Sequence, residues 1–445
     1  MRTNTIGPLG LLTLAVLVAS TWLLDVLATV FPEQSAFLWI ARQQGLNLSG
    51  LLSIVFMSLT MFLAVRPAWL EKPLGGLDRI YRLHKWSGIL AVTFGALHWL
   101  IKQSGGLIKG LIGSEGRLPK IKYDGVLEAM RELGDDMGEP ALYMALAMLV
   151  ITLWRRFPYH LWRHLHRIMP VLYLMLAFHA ALLAPPAYWT QPVGLVLGSF
   201  LALGSIASVL SLTGQIGRSR QIKAIVTAVK HTDDITEVTC KLEGPWQTHR
   251  PGQFAFITFG KFEGAHPFTI ASAERGDRTI TFFIKALGDF TRCIAQKIEV
   301  GQPVTVEGPY GRFQLDRHSR KRSQIWVAGG VGVMPFIAWL ESLQGSTAHS
   351  LEADLHYCTR NRENDHFIVR LHALCENLPG IRLHVHSAQH GDLLKAESLM
   401  PKNTQPRNAE VWFCGPRGLA DALKRGLKEG GIAGLHFHQE AFELR

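Results

Sequence analysis

Apolar residues in the first half of the chain form long runs without charge. Residues 3–24, 43–65 and 168–217 contain no Asp, Glu, Lys or Arg, and the third run carries a Pro-rich turn signal at 184–192. A bilayer core about 30 Å thick needs about 20 mostly apolar residues as a helix. The pattern therefore predicts six membrane helices, near residues 7–30, 45–65, 82–103, 140–157, 163–184 and 192–213. The first could be a cleaved signal peptide, but its apolar run is longer than the usual 7–15 residues, which favours a retained helix.

The pattern changes near residue 219. Residues Gln221–Leu242 alternate with Val, Ile and Thr, and short strand-like segments recur as far as Gly308–Gly311, which is typical of a small antiparallel barrel. After Arg322, the buried-type strand Ile325–Ala328 enters a glycine-rich turn and then a helix, as in nucleotide-binding α/β units. We therefore expect a multidomain membrane protein: a six-helix transmembrane bundle, then an antiparallel β-barrel, then an α/β nucleotide-binding domain.

Charge refines this picture. The 445 residues are 48% hydrophobic and only 18% charged, with a net charge of +11, which excludes a disordered chain. Basic residues cluster at 66–85, 155–167 and 218–223, whereas the segment 104–139 has five basic and seven acidic residues. Because Lys and Arg stay cytoplasmic, the C-terminal half should be cytoplasmic, in a bacterial inner membrane. The excess charge then reflects topology, and no basic patch with interleaved aromatic residues indicates nucleic-acid binding.

The five cysteines all lie after residue 239 and none forms a Cys-x-x-Cys pair. Reduced cytosolic thiols are the expected state.

Four histidines fall within predicted membrane helices, where ionisable residues are costly and are candidates for function. His84 and His98 are 14 residues apart on helix 3, which places them within about 40° of one face and about 21 Å apart. His166 and His179 on helix 5 are 13 residues apart and align poorly in an ideal helix. Pro170 can rephase that helix, and His164 remains an alternative ligand.

Helices 3 and 5 run in the same direction, so His84 should lie level with His166 and His98 level with His179. Histidine is a usual axial ligand of haem iron, and two pairs at two depths suit two b-type haems. Each histidine alone could equally be an ordinary core or loop residue.

Four motifs in the second half suit nucleotide binding. Gly288–Thr291 opens a helix whose free N–H groups suit a pyrophosphate, although an ordinary cap is the alternative. Gly329-Gly330-Val331-Gly332 lets a backbone approach phosphate. Thr359 and Arg360 follow the second strand, where a ribose 2′-phosphate could bind; this favours NADPH over NADH. Cys414-Gly415-Pro416 ends a last strand, Glu410–Phe413.

Together these motifs resemble the NADPH oxidase and ferric reductase family, over nearly the whole chain. The resemblance implies a ferric-reductase-like transmembrane haem domain at 1–217, an FAD-binding barrel at 218–322 and an NAD(P)-binding α/β domain at 323–445. It also implies that His84, His98, His166 and His179 ligate two haems. The family's flavin motif is similar to His266-Pro267-Phe268-Thr269.

In the roles that this resemblance implies, His266 contacts the FAD phosphates, Phe268 packs on the flavin and Thr269 lies near its reactive edge. Phe442 is the candidate aromatic shield, and Thr269, Cys414 and Phe442 are the expected catalytic residues. The full set of expected contacts with FAD and nucleotide comprises His266, Pro267, Phe268, Thr269, Lys285, Gly288, Thr291, Gly329, Gly330, Gly332, Thr359, Arg360, Cys414, Gly415 and Pro416.

The expected activity is transmembrane electron transfer from cytoplasmic NADPH through FAD and two haems to dioxygen or a ferric chelate. Quinone or a periplasmic redox partner is an alternative acceptor. A transport or binding protein with a redox-sensing flavin domain, and a cytosolic flavin reductase merely anchored by its helices, are the rival classes. Gly194 and Gly198 could support a homodimer, although packing within the bundle explains them as well.

Overall fold

The computed structural model describes residues 6–119, 123–154, 156–260, 264–286, 289–315, 323–344, 351–399, 409–430 and 436–440. The chain divides into two compact units. One is helical and comprises residues 4–74 and 79–216; the other comprises residues 217–445 with two short segments from earlier in the chain.

The helical unit is built from six long or medium helices with short ones between them. The longer helices are α1 (Ile6–Ala28), α2 (Phe37–Ala64), α4 (Leu77–Gln103), α6 (Val126–Leu153), α8 (Met169–Leu183) and α9 (Pro192–Leu212). The short helices are α3 (Ala68–Leu74), α5 (Gly105–Ile112) and α7 (Tyr159–His166).

Within the described ranges, five helical segments are long and apolar enough to cross a membrane: 7–28, 37–64, 126–153, 161–183 and 192–212. Helix α4 has 27 residues but is less apolar, because it carries two histidines and several charged residues. A membrane domain is therefore confirmed, whereas a count of six spans stays a prediction.

Two helix boundaries differ from the predicted ones. The fourth predicted helix, 140–157, in fact begins at Val126 and contains Pro140 in its interior; a proline weakens a helix by removing one donor but does not always end it. The fifth, 163–184, is divided, because α7 ends at His166 and α8 begins at Met169.

Small and hydroxyl-bearing residues join the helices of this unit. Gly204 on α9 packs against the phenol of Tyr173 on α8, and Ser58 on α2 lies 2.9 Å from the Tyr173 hydroxyl. Such contacts hold helices together where lipid removes the hydrophobic drive for association. Leu12 and Val16 on α1 remain 60% and 57% exposed, as expected of side chains that face lipid.

The second unit begins with a six-stranded sheet in the order β4-β3-β6-β1-β2-β5. Its strands are β1 (Gln221–Thr232), β2 (Ile235–Glu243), β3 (Phe254–Thr258), β4 (His266–Thr269), β5 (Thr279–Lys285) and β6 (Pro303–Tyr310). Each pair of neighbouring strands in this order is antiparallel, as predicted. Closure of this sheet into a barrel stays a prediction. Helix α10 (Asp289–Lys297) follows β5.

A five-stranded parallel sheet completes the unit, in the order β11-β10-β7-β8-β9. The strands are β7 (Ser323–Gly329), β8 (Ala353–Thr359), β9 (Ile381–Ser387), β10 (Ala409–Cys414) and β11 (His436–Glu440). Helices α11 (Met334–Gln344), α12 (His366–Glu376) and α13 (Arg417–Glu429) alternate with them. The prediction that Glu410–Phe413 is the last strand is wrong, because β11 pairs beside β10 at the sheet edge. Its short, His-rich sequence gives no buried-strand signal.

Candidate functional site

The four membrane histidines form two pairs. The rings of His84 on α4 and His166 on α7 have centroids 6.1 Å apart, at 68° to one another. The rings of His98 on α4 and His179 on α8 have centroids 6.4 Å apart, at 86°. Each pair unites the two residues that the sequence places at the same depth.

The division between α7 and α8 explains how the second ligand helix serves both pairs. Residues 167 and 168 interrupt the helix ahead of Pro170. The directions of His166 and His179, 13 residues apart, therefore do not follow from the rotation per residue of a single ideal helix. His164, the alternative ligand, has an exposed side chain. The structure thus brings His166, and not His164, beside His84.

Backbone carbonyl groups orient three of the four rings. The Nδ1 atom of His84 donates to the carbonyl of Thr60 at 2.9 Å. His98 Nδ1 donates likewise to Leu46 at 3.0 Å, and His179 Nδ1 to Gly134 at 2.7 Å. A histidine that ligates a metal through one nitrogen usually donates the other N–H in this manner, which leaves Nε2 for the metal.

His166 is held differently. Its Nδ1 is buried without a hydrogen-bond partner among the described residues, and its ring stacks on Trp162 at a centroid distance of 5.0 Å. Aromatic packing, rather than a hydrogen bond, fixes this ring.

The pairs fit haem iron better than a metal held by protein alone. In the described part of the chain, no group of three or more His, Cys, Asp or Glu side chains is placed to hold a metal. A haem needs only two axial ligands from the protein. Iron bound to one nitrogen of each ring, at about 2 Å, would separate the centroids by about 6 Å, which matches both pairs.

Two glycines make room for the second pair. A Cβ on Gly138 of α6 would stand 2.6 Å from Cε1 of His179, and one on Gly50 of α2 would stand 3.0 Å from Nδ1 of His98. These glycines were missed at the sequence level, because nothing in their local pattern marks a ring beside them.

The predicted flavin motif forms strand β4. Thr269, at the end of this strand, pairs in register with Phe254 of β3, and its side chain is 5% exposed with Oγ1 lacking a partner. Phe268 is partly buried against the core of the sheet. A buried hydroxyl without a partner is uncommon, so a ligand atom beside Thr269 fits the site.

The remaining predicted flavin contacts are more scattered. Lys285 at the end of β5 forms an ion pair with Asp234 at 3.3 Å, so its ammonium group is already engaged. His266 and Pro267 lie with Thr269 on β4, and Thr291 lies on α10. Gly288 and Phe442 lie outside the described residues.

The glycine loop after β7 and the Cys-Gly-Pro motif after β10 meet at the carboxyl edge of the parallel sheet. A Cβ on Gly332 would stand 2.3 Å from the carbonyl oxygen of Cys414, and one on Gly329 would stand 2.6 Å from Cδ of Pro416. A Cβ on Gly415 would stand 2.9 Å from the backbone nitrogen of Gly329, and Gly330 has φ +55°. Open α/β sheets bind ligands at this edge.

Thr359 ends β8 at the same edge, and Arg360 follows it. The hydroxyl of Thr359 donates to Asp365 at 2.5 Å, so Thr359 is engaged within the loop, whereas the side chain of Arg360 is exposed. Of the two, Arg360 is therefore the better placed for a phosphate.

Glu440 is a candidate that sequence reasoning missed. It pairs in register with Cys414 across β11 and β10, and its Oε1 faces Gly311 at the end of β6. Among the described residues, its buried Oε2 has no partner, and burial raises its pKa to about 8. Burial, with the nearby Glu440, also raises the pKa of the Cys414 thiol, so both groups favour their uncharged forms. Nothing in the local sequence marks a buried carboxylate here, because the burial depends on the neighbouring strand.

Comparisons with known proteins agree with this architecture. Residues 49–177 match the family described as the ferric reductase like transmembrane component, and residues 219–314 match a FAD-binding domain. The first match contains His84, His98 and His166 and ends two residues before His179, and the second contains strands β1 to β6.

Among curated relatives, the Escherichia coli carnitine monooxygenase reductase subunit is 31% identical over 34% of this chain and 45% of its own length. Ferric reduction oxidase 8 of Arabidopsis thaliana is 28% identical over 42% of this chain and 26% of its own length. The chain thus spans less than half of either relative. Among solved structures, the Amycolatopsis cytochrome P450 reductase GcoB has a TM-score of 0.44 at 18% identity, covering 51% of this chain and 71% of its own.

The apolar helices and the two family matches define a membrane flavoprotein. The chain combines a ferric-reductase-like transmembrane component with a FAD-binding reductase module, which confirms the resemblance drawn from its motifs.

Proposed function

We propose that the protein transfers electrons from cytoplasmic NADPH, through FAD and two b-type haems, to an acceptor on the far side of the membrane. The acceptor is dioxygen or a ferric chelate. NADH is the alternative donor. The spacing of the two histidine pairs, at 6.1 Å and 6.4 Å between ring centroids, is the observation that carries this proposal.

His84 and His166 would hold the haem nearer the cytoplasm, and His98 and His179 the haem nearer the far side. Hydrogen bonds from Nδ1 keep His84, His98 and His179 turned so that Nε2 is free to ligate. Because two histidines would hold each haem, the group would supply electrons to an acceptor that needs no bond to iron.

In the soluble unit, Thr269 would hydrogen-bond the reactive edge of FAD, and the loop Gly329–Gly332 would admit the nucleotide phosphates. Arg360 would favour NADPH by pairing with a 2′-phosphate. The uncharged Cys414 and Glu440 would line the nicotinamide position without repelling it. When bound, FAD converts a two-electron donor into single electrons, which haem iron can carry.

The domain boundaries 1–217, 218–322 and 323–445 belong to this proposal, since α9 ends at Leu212 and β1 begins at Gln221, while β6 and β7 are separated by residues 311–322. The basic segments at 66–85, 155–167 and 218–223 support a cytoplasmic C-terminal half. A bacterial inner membrane and a homodimer are further parts of the proposal that wait for direct measurement.

An absorbance spectrum of the purified full-length protein, before and after NADPH, tests the proposal. We expect haem bands that NADPH reduces, and a ratio of two haems to one FAD. His98→Leu should lose the outer haem, which lowers haem content by about half, while NADPH still reduces the flavin. Unchanged haem content in this variant would refute the assignment of the ligands, and absent haem bands would favour the transport or anchored-reductase alternatives.

A further inference from the structure

Near its start, helix α2 has two hydrogen-bond donors that meet no acceptor among the described residues. Trp39 is 4% exposed, and its Nε1 has no partner in the described part of the chain. The same holds for the buried Nε of Arg42, one turn further on. Residues three apart lie on the same helix face, and both groups can only donate. Because a buried unsatisfied donor costs about 1–3 kcal/mol, the site is suited to a ligand that accepts hydrogen bonds.

Two positive charges lie over the same indole. The guanidinium carbon of Arg42 is 6.0 Å from the centroid of Trp39, and that of Arg117 is 5.2 Å from it. Neither guanidinium pairs with a carboxylate of the described residues, although Glu115 is two positions from Arg117 in sequence. Two like charges beside one ring repel each other, so the ligand that best suits the site is an anion.

The backbone fixes this arrangement. The amide of Ala36 donates to the carbonyl of Gly116 at 3.0 Å, and Gly116 has φ +74° with no room for a Cβ beside Ala36. Arg42 Nη2 donates to the carbonyl of Lys102 at 2.8 Å, which uses one edge of its guanidinium and leaves Nε available. The side chain of Arg42 is therefore fixed by a hydrogen bond, and the backbone beside the exposed Arg117 is fixed next to the start of α2.

The site lies one helical turn beyond the histidine pair of the far side. On α2 and α4, Leu46 contacts His98 through the Nδ1 hydrogen bond. Four residues outward on each helix, Arg42 contacts Lys102. An anion held by Arg42 and Arg117 would therefore lie close to the proposed outer haem.

We propose that Trp39, Arg42 and Arg117 form a site for the carboxylate oxygens of an anionic ferric chelate, the electron acceptor. This inference rests on the proposed function and narrows its acceptor. Guanidinium groups bind carboxylates in a bidentate manner, whereas dioxygen is uncharged and offers no such contact. In the reaction, Fe(III) of the chelate gains one electron supplied through the chain and becomes Fe(II); no proton moves and no covalent bond forms.

Steady-state reduction by the full-length holoprotein with NADPH tests the site. Ferric citrate is the anionic acceptor and hexaammineruthenium(III), a cation without carboxylates, is the comparison acceptor. For Arg117→Gln and Trp39→Phe, we expect the KM for ferric citrate to rise, about tenfold or more for Arg117→Gln, with kcat retained. Reduction of hexaammineruthenium(III) should not fall. Lys109→Gln is the control, since it removes one exposed cation from α5 and leaves Trp39, Arg42 and Arg117 unchanged.

A second measurement does not depend on turnover: equilibrium dialysis of ferric citrate against the oxidised protein without NADPH. Weaker binding to Arg117→Gln than to Lys109→Gln supports the site, and equal binding overturns it. If Arg117→Gln instead alters the haem spectrum and slows both acceptors equally, the carboxylate belongs to the resident haem and the acceptor assignment is wrong. Failure of the wild-type protein to reduce any acceptor would refute the proposed function, while dialysis would still decide whether the anion site exists.

Discussion

Gly138 of α6 lies directly against the imidazole of His179 on α8. A Cβ at this position would stand 2.6 Å from Cε1 and 2.7 Å from Nδ1 of the ring, well inside van der Waals contact. The same ring donates from Nδ1 to the carbonyl of Gly134, one turn away on α6. One helix therefore both orients the ligand and leaves the space that its ring occupies.

Gly138→Ala should displace the His179 ring and weaken its bond to Gly134. Disturbing the group that orients a metal-ligating histidine typically lowers metal affinity 10–100-fold. When the haem supply is limiting, we therefore expect the variant to bind one haem instead of the two proposed for the wild type. The haem-to-protein ratio measures this effect. Gly110→Ala is the matched control, because a Cβ at Gly110 meets no atom within 4 Å. Full haem content in Gly138→Ala would contradict the geometry.

Gly332→Ala should disrupt the nucleotide edge of the parallel sheet. Its Cβ would fall 2.3 Å from the carbonyl oxygen of Cys414, and the backbone must shift at a cost of about 1–3 kcal/mol. We expect a higher KM for NADPH and a lower melting temperature. Gly418→Ala, on a helix surface with open space around it, should leave both unchanged. A variant at Gly332 with normal KM would show that the loop does not contact the nucleotide.

Thr269→Val tests the unpartnered hydroxyl at the proposed flavin site. Valine keeps the shape but removes Oγ1, so the protein without FAD should be as stable as wild type or more so. Loss of one ligand hydrogen bond should weaken FAD binding by about 1 kcal/mol, roughly fivefold. Titration of apoprotein by flavin fluorescence measures this. Thr227→Val, whose hydroxyl bonds only to the strand backbone, should bind FAD normally.

Glu440→Gln should change how stability depends on pH. Burial raises the pKa of Glu440 from 4.5 to about 8, so the folded state binds a proton that the unfolded state has released between these values. The resulting stabilisation is fully present below pH 4.5 and is lost as pH rises through 8. Glutamine cannot ionise, so the variant should gain in melting temperature relative to wild type as pH rises from 5 to 9. A constant difference across this range would show that Glu440 ionises normally in the fold.

Particular residues show where sequence reasoning succeeded and where it failed. The runs without charge predicted the membrane helices, and the order of His84, His98, His166 and His179 predicted the two pairs. The ideal-helix argument failed for the second ligand helix, because the interruption at residues 167 and 168 depends on packing rather than on local pattern. Strand β11 was missed, because its five residues become a strand only by pairing with β10.

The sequence by itself determined which segments are apolar enough for membrane helices, where the basic residues cluster along the chain, and which motifs are candidates for binding FAD and nucleotide. These properties follow from the spacing of apolar residues, from charge and from local glycine content, all of which are local features of the sequence. Only the tertiary structure decided that Gly138 and Gly50 make room for histidine rings, that Glu440 lies beside Cys414, and that Trp39, Arg42 and Arg117 share one site. Each of these depends on contacts between residues that are distant in sequence. Periodicity can be read from one segment alone, whereas close packing depends on which segment lies opposite.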